Sequence, residues 1–325
     1  MTDPIVLADD AAFEELVDAA VQLTRLGEGY QFTEGPVWSP LESCLYFSDI
    51  PSDDRWRWSE ARGMELERHP TFKANGLVLD RDGSLVACEQ VSSVVARIGT
   101  GGARELLAFH HGGRYLNSPN DICVRAADGG IYFTDPDYGR WNDWIGQERT
   151  RQLGFCGVYR IPPEPDGEAR LLVPADEFDQ PNGLCFSPDE ALLYVNDSDH
   201  GHIKAFDVAA DGTLGPSRVW AEGIGVGFSA DDSDAIRESR HQELHDAGAV
   251  DGMKCDERGN VWVTGPGGVW VLSPAGERLG RIRSPEVVGN LAWGGEDLRT
   301  LFLMTSTTVH SLPTRVAGAR LAHHG

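Results

Sequence analysis

Six short runs of apolar or alternating residues, each ending in a small or acidic residue, punctuate the chain: LYFSDI (45–50), LVACEQ (85–90), IYFTDP (131–136), LYVNDS (193–198), VWVTGP (261–266) and LFLMTS (301–306). Their starts step by 40, 46, 62, 68 and 40 positions. Polar turns such as Asp80–Gly83, Ala127–Gly130, Ser187–Glu190 and Asp256–Gly259 precede them, with the Gly or Asp that tight hairpins need. A second strand-like segment follows each run: RWRW (55–58), VVARI (94–98), GVYRI (157–161), IKAFDV (203–208), GVWVL (268–272) and TVHSL (308–312). Adjacent β-rich runs joined by turns make antiparallel meanders, and a unit of about 40–45 residues with four short strands is a β-propeller blade. The pattern therefore predicts an all-β, six-bladed β-propeller.

Two steps carry a surplus of about 20 residues, which falls in 136–156 and 223–249; insertions in repeats map to loops, often on the functional face. Both loops are expected at the mouth of the central channel. Residues 9–22 place Phe13, Leu16, Val17, Ala20 and Val21 on one helical face, predicting a short amphipathic helix. The expected organisation is an N-terminal helical extension (1–26), the propeller (27–313) and a flexible tail (314–325) that carries little pattern.

Composition narrows the partners. Of 325 residues, 28 are Lys or Arg and 51 Asp or Glu, a formal net charge of −23. Such a surface repels phosphate backbones and anionic lipid, so neither nucleic acid nor a membrane surface is expected as a partner, whereas divalent cations and small molecules fit. No export signal and no run of membrane-spanning length are present, so a cytoplasmic location is expected. The six cysteines are expected as reduced thiols, four of them (Cys44, Cys88, Cys123, Cys185) beside strand-like runs where a thiol packs as a small hydrophobe.

A polar set is phased with the strands. Glu34, Asn75, Asn120, Asn182, Asp251 and Asn290 each stand just before an apolar strand start, at steps of 41, 45, 62, 69 and 39. Asn-Gly and Asp-Gly are also turn dipeptides, but turn chemistry demands neither a Glu at the first repeat nor an Asn before a bulkier residue at the third and sixth. In a propeller the innermost strands line the channel, so equivalent positions form a ring. Two carboxylates and several carboxamides, without His or thiolate, suit a hard divalent cation. Glu34 and Asp251 would balance its charge, with Asn120, Asn182 and Asn75 as neutral oxygen donors.

The strings FTEGPVW (32–38), ANGLVLDRDGSLVACE (74–89), LNSPNDI (116–122), IYFTDPDYG (131–139), PNGLCFSPDEALLYVNDS (181–198), DGMKCDERGNVWVTGPGGVWV (251–271) and GNLAWGGEDLRTLF (289–302) closely resemble the bacterial branch of the gluconolactonase/regucalcin family, over about residues 27–312. The resemblance implies a six-bladed propeller that hydrolyses lactones with one divalent cation, held by Glu34 of EGP, Asn182 of PNGL and Asp251 of DGM. Ca²⁺ leads the candidates, with Mg²⁺, Mn²⁺, Zn²⁺ and Fe²⁺ as alternatives. Asn120 of the PND motif is implied beside the ion, ligating it in some members and touching substrate in others; Asn75 and Ser118 complete the expected substrate contacts. The chain departs from the family at Ser118, where regucalcin-type members carry Arg, and at Gln90–Ser93, where bacterial relatives tend to have His and two arginines.

A channel cation can polarise a lactone carbonyl and activate a water, with Asp251 as the proton acceptor. Competing readings are an aryl-esterase or organophosphate hydrolase on the same scaffold, and a non-catalytic calcium-binding propeller. Other hydrolytic signatures are missing: Gly227-Phe-Ser229 fails as a nucleophile elbow, and His241 with His245 is read as a solvated pair. His200 and His202 are read as surface residues, Asp121, Asp135 and Asp197 as acceptors of backbone hydrogen bonds between blades, and Trp141 and Trp144 as either a cover for a ligand or loop packing.

Overall fold

The computed structural model describes residues 4–227, 245–246 and 248–324. Six sheets, antiparallel except for a short parallel pairing of 167–168 with the edge of the second, follow one another along the chain. Their innermost strands are Thr33–Ser39, Ala74–Leu79, Ile122–Val124, Pro181–Phe186, Met253–Cys255 and Val288–Gly294. The six apolar runs form the second strands (for example Cys44–Asp49 and Thr300–Thr305), and the segments after them form the third. The alternation that predicted the blades thus reports burial on both sheet faces, because each blade is packed between two others.

The sixth blade takes its outermost strand, Thr24–Glu28, from the beginning of the propeller and its other three from the end. Arg25 lies opposite His310 and Glu28 opposite Thr308, so main-chain hydrogen bonds close the ring. A further strand, Val6–Ala8, adds to the edge of the fifth blade beside Arg278–Arg283.

The expected N-terminal helix is shorter than its pattern suggests. Asp10 accepts a bond from the Ala12 N–H and caps a five-residue 3₁₀ turn, Ala11–Glu15. Phe13, Leu16, Val17 and Val21 are buried with Trp262, Leu291 and Trp293 between the fifth and sixth blades, while Ala20 is exposed. Tertiary burial selects those side chains, and one tight turn suffices to deliver them.

Residues 314–324 are packed, contrary to the expected loose tail. Ala319 N–H bonds to Cys255 O (3.0 Å) and Gly318 N–H to Leu298 O (2.9 Å), Val316 is fully buried, and His323 Nε2 lies 3.1 Å from Trp38 O of the first blade. The segment crosses one end of the channel. It bounds a cavity of about 250 Å³ to which every blade contributes. Four buried residues, Thr314, Val316, Ala317 and Gly318, anchor it without any periodic pattern.

Candidate metal centre and catalytic site

The ring residues sit where the innermost strands break register. A bulge lies between Glu34 and Val37, Ala74 and Leu77, Pro181 and Leu184, and Val288 and Asn290, while Asn120 and Asp251 fall two residues before their strands begin. A bulge re-aims one side chain out of the pleat. The same feature recurs in four blades, so the side chains turn toward the axis rather than into a sheet interface.

Neighbouring blades lock this arrangement. The second strand of one blade donates a side-chain hydrogen bond to the ring carbonyl of the next: Ser48 Oγ to Asn75 O (2.9 Å), Thr134 Oγ1 to Asn182 O (2.7 Å) and Asn196 Nδ2 to Asp251 O (2.5 Å). The glycines after the ring residues serve close approach. A Cβ on Gly35, Gly76 or Gly183 would stand 2.0, 2.4 or 2.2 Å from the next blade's ring carbonyl. Of these only Gly35 has positive φ, so the Asn-Gly pairs at 75 and 182 are packing devices rather than left-handed turns.

Glu34 is buried and accepts bonds from Gly35 N–H (2.6 Å) and Asn290 Nδ2 (2.9 Å) on Oε2. Burial, then the Asp121 charge, pushes its carboxyl up to about 7. Asp251 is raised well above the carboxylate range by burial first, then by Glu34 and Asp121, against a hydrogen bond from Asn182. A buried acid at Glu34 and a partly exposed one at Asp251, whose carboxyl the first pushes up, favour a cation beside them. The Asn182 amide donates to Ser198 Oγ (3.0 Å), which itself donates to Val250 O (2.7 Å), and Asn182 Oδ1 is buried without a donor. Asn75 Oδ1 is likewise orphaned. Buried acceptors with no donor beside two carboxylates are the donor set of a hard cation, so the residues present fit one. Among the described residues no three His, Cys, Asp or Glu side chains cluster, so carboxamides must complete such a set.

The other expected residues divide. Asn120 is buried, its backbone is tied to Thr134 O (2.9 Å) and Gly76 N (2.8 Å), and its side chain makes no hydrogen bond to a described residue. Ser118, expected against substrate, is fully buried, donating to Pro136 O (2.7 Å) and accepting from Gly139 N–H (3.1 Å), so its hydroxyl also anchors the inserted loop. Asp135 and Asp197 bond within their own blades, to Asn117 N (2.8 Å) and Asp179 N (2.8 Å), holding the segment that enters the innermost strand rather than the next blade. His200 is exposed and pairs with Asp179 (2.7 Å). His245 Nε2 contacts Ser284 O (2.9 Å); His241 and Ser229 lie outside the described residues, as does most of the second inserted loop.

The first inserted loop does what sequence reasoning missed. Arg140 donates to Asn117 O (2.7 Å) and Ser93 Oγ (3.1 Å), and Arg149 to Gln90 O (2.9 Å) and Ser93 Oγ (2.7 Å). Two guanidiniums from the loop therefore occupy the neighbourhood of Gln90–Ser93. Tyr138 and Ile145 pack on Ile50, with the partly buried Trp141 and Trp144 at the edge of the cluster.

A second ring lies three residues beyond the first: Val37, Val78, Cys123, Cys185, Lys254 and Trp293, all lining the cavity closed by the tail. Five are apolar or sulfur-bearing, and Lys254 is charged. The cysteines are all free thiols, with Cys185 and Cys255 sulfurs 3.7 Å apart.

Comparison with known proteins places this geometry. Residues 32–307 match the family described as SMP-30/Gluconolactonase/LRE-like region. A gluconolactonase of Zymomonas mobilis is 27% identical over 94% of this chain and 85% of its own length. The structure of a gluconolactonase from Xanthomonas campestris superposes with a TM-score of 0.83 at 29% identity, covering 96% of this chain and 95% of that one. A crystal structure of a protein assigned as a gluconolactonase gives 0.84 at 31% identity, covering 97% and 99%.

Proposed function

The chain belongs to the SMP-30/gluconolactonase/LRE-like family, and from that premise we propose that it opens the ring of sugar lactones, using one divalent cation, Ca²⁺ first, held in the channel by Glu34, Asn182 and Asp251 with Asn120 beside it. The observation that carries the reading is the orphaned Asn182 Oδ1 next to the Glu34–Asp251 acid pair, in a chain aligned along nearly its whole length with gluconolactonases.

A cation bound there supplies Lewis-acid polarisation of a carbonyl and a lower pKa for an adjacent water. The chain's own residues do the rest. Asp251, partly exposed where Glu34 is buried, takes the proton of the attacking water on a carboxylate oxygen and returns it to the ring oxygen as the acyl C–O bond breaks. Asn196, through the Asp251 carbonyl, and Ser198, through the Asn182 amide, fix the orientation of both groups. Asn120, whose carboxamide has no described protein partner, orients the lactone.

Hydrolysis of an aldonolactone panel and of aryl esters and phosphotriesters by metal-stripped protein, with each cation added back, tests the reading. Cation-dependent turnover of the aldonolactones is expected. Activity confined to the esters or phosphotriesters would overturn the substrate assignment, and full activity of the stripped protein would overturn the cation.

A further inference from the structure

One charged residue stands in the otherwise apolar second ring. Lys254 Nζ donates to Met253 O (3.1 Å) and Asn290 Oδ1 (3.3 Å) and lies 3.7 Å from Asp121 Oδ2. Its side chain is 17% exposed and that of Asp121 4%, so neither charge is solvated as it would be at the surface. Asn290 passes the contact on: with Oδ1 facing the ammonium, its Nδ2 donates to Glu34 Oε2 at 2.9 Å. The sixth ring residue is thereby spent inside the protein. It fixes one oxygen of Glu34, and its own oxygen accepts from Leu291 N–H (2.9 Å) as well as from Lys254.

The charge count of the centre follows. Asp121 acts on both acids of the site, and Lys254 acts on both with the opposite sign. Among the described residues Asp121 accepts Ile122 N–H (2.9 Å) and a long contact from Leu184 N–H (3.4 Å), and it does not cluster with the two acids as a third ligand. Three carboxylates and one ammonium sum to two negative charges. That is the complement of one divalent ion.

We propose that Lys254 is a resident counter-cation of the centre, which sets its charge for a divalent ion and holds its affinity below what the three carboxylates alone would give. The inference rests on the reading of the oxygen ring as a cation site and adds a residue that determines its strength and selectivity. An ammonium cannot ligate a metal; it acts by repelling one, and a unit charge a few ångströms from a partly buried ion changes binding by roughly tenfold to a hundredfold. In its absence the centre carries three negative charges and favours a trivalent ion.

The test is a charge-reversal cycle on the full chain, read by Ca²⁺ and Tb³⁺ affinity in competition with a chromophoric chelator and by thermal unfolding in excess chelator. Lys254→Met is expected to tighten Ca²⁺ binding by about tenfold or more and Tb³⁺ binding by a larger factor. Lys254→Arg should stay within about threefold of the parent, Asp121→Asn should weaken both ions, and Asp121→Asn/Lys254→Met, with the count restored, should return close to the parent. Without metal, Lys254→Met should melt below the parent and the double variant should recover. Ca²⁺ affinity unchanged or weakened in Lys254→Met overturns the proposal. Should that variant not fold, weakening by Asp121→Asn with recovery in the double variant still supports it, and no recovery overturns it. A parent chain that binds no divalent cation defeats the cation reading instead, and the counter-cation then stands or falls on the order of melting in chelator.

Discussion

The two ends of the channel are built from the same six strands and differ in kind. At one end the strands begin with Glu34, Asn75, Asn120, Asn182, Asp251 and Asn290, and acceptors are left without donors. Three residues further on, five of six positions are apolar or carry sulfur, and residues 314–324 cover them. A residue's depth along an innermost strand therefore decides whether it does chemistry or holds the molecule together. Changes at the first end should abolish activity in a folded protein, and changes at the second, Lys254 apart, should alter stability and spare the reaction.

The largest effect is expected at the oxygen-lined end. Asp251→Asn should cut kcat/KM for an aldonolactone by about a thousandfold or more, combining a lost proton acceptor with a lost ligand charge, while thermal unfolding in chelator shows an intact fold. A variant that retains activity within a few-fold would remove Asp251 from the mechanism. At the closed end, truncation after Pro313 exposes the ground under Val316 and Ala317 and should cost about 2–4 kcal/mol in denaturant unfolding, leaving kcat of the folded enzyme unchanged. Lost activity without lost stability would mean that the two ends are not separable.

A smaller effect depends on pH. Burial lowers His323 and His324 to about 4, below the ordinary imidazole value of 6.5. The unfolded chain then binds more protons than the fold between those values, so this contribution to stability is present above pH 6.5 and is lost as pH falls toward 4. The melting difference between the parent and His323→Gln/His324→Gln should shrink across that window, and a pH-independent difference would show that neither ring is held neutral by its site. The smallest effect is expected from Cys185→Ala, about 1 kcal/mol of stability with unchanged turnover, measured by denaturant unfolding and a lactone assay.

The blades and the ring were legible because they are periodic. Each unit repeats the same burial problem and the same polar exception, so Asn182 and Asp251 can be phased against Glu34 across more than 200 residues. What escaped is aperiodic. Ser118 reads as a substrate contact by its place next to Asn120, but only the fold shows its hydroxyl bonded to Pro136 and Gly139. Arg140 and Arg149 reach Ser93 from an inserted loop that lies outside the repeat pattern. Residues 314–324 owe their order to contacts with distant strands and have no pattern of their own. Lys254 left a usable signal: the sole charge among positions three residues after each ring residue.

The closing strand, Thr24–Glu28, has a consequence for how the protein comes into being. Its partner, Thr308–Pro313, comes after every other blade strand in the sequence, so the circle cannot be completed until the whole propeller has been synthesised. Until then the first blade waits with an unfilled flank, and the carboxylates contributed by opposite halves of the chain have nothing to force them together. Permuted versions whose new ends fall in a hairpin between blades would join this strand to its partner early and should reach the native state faster.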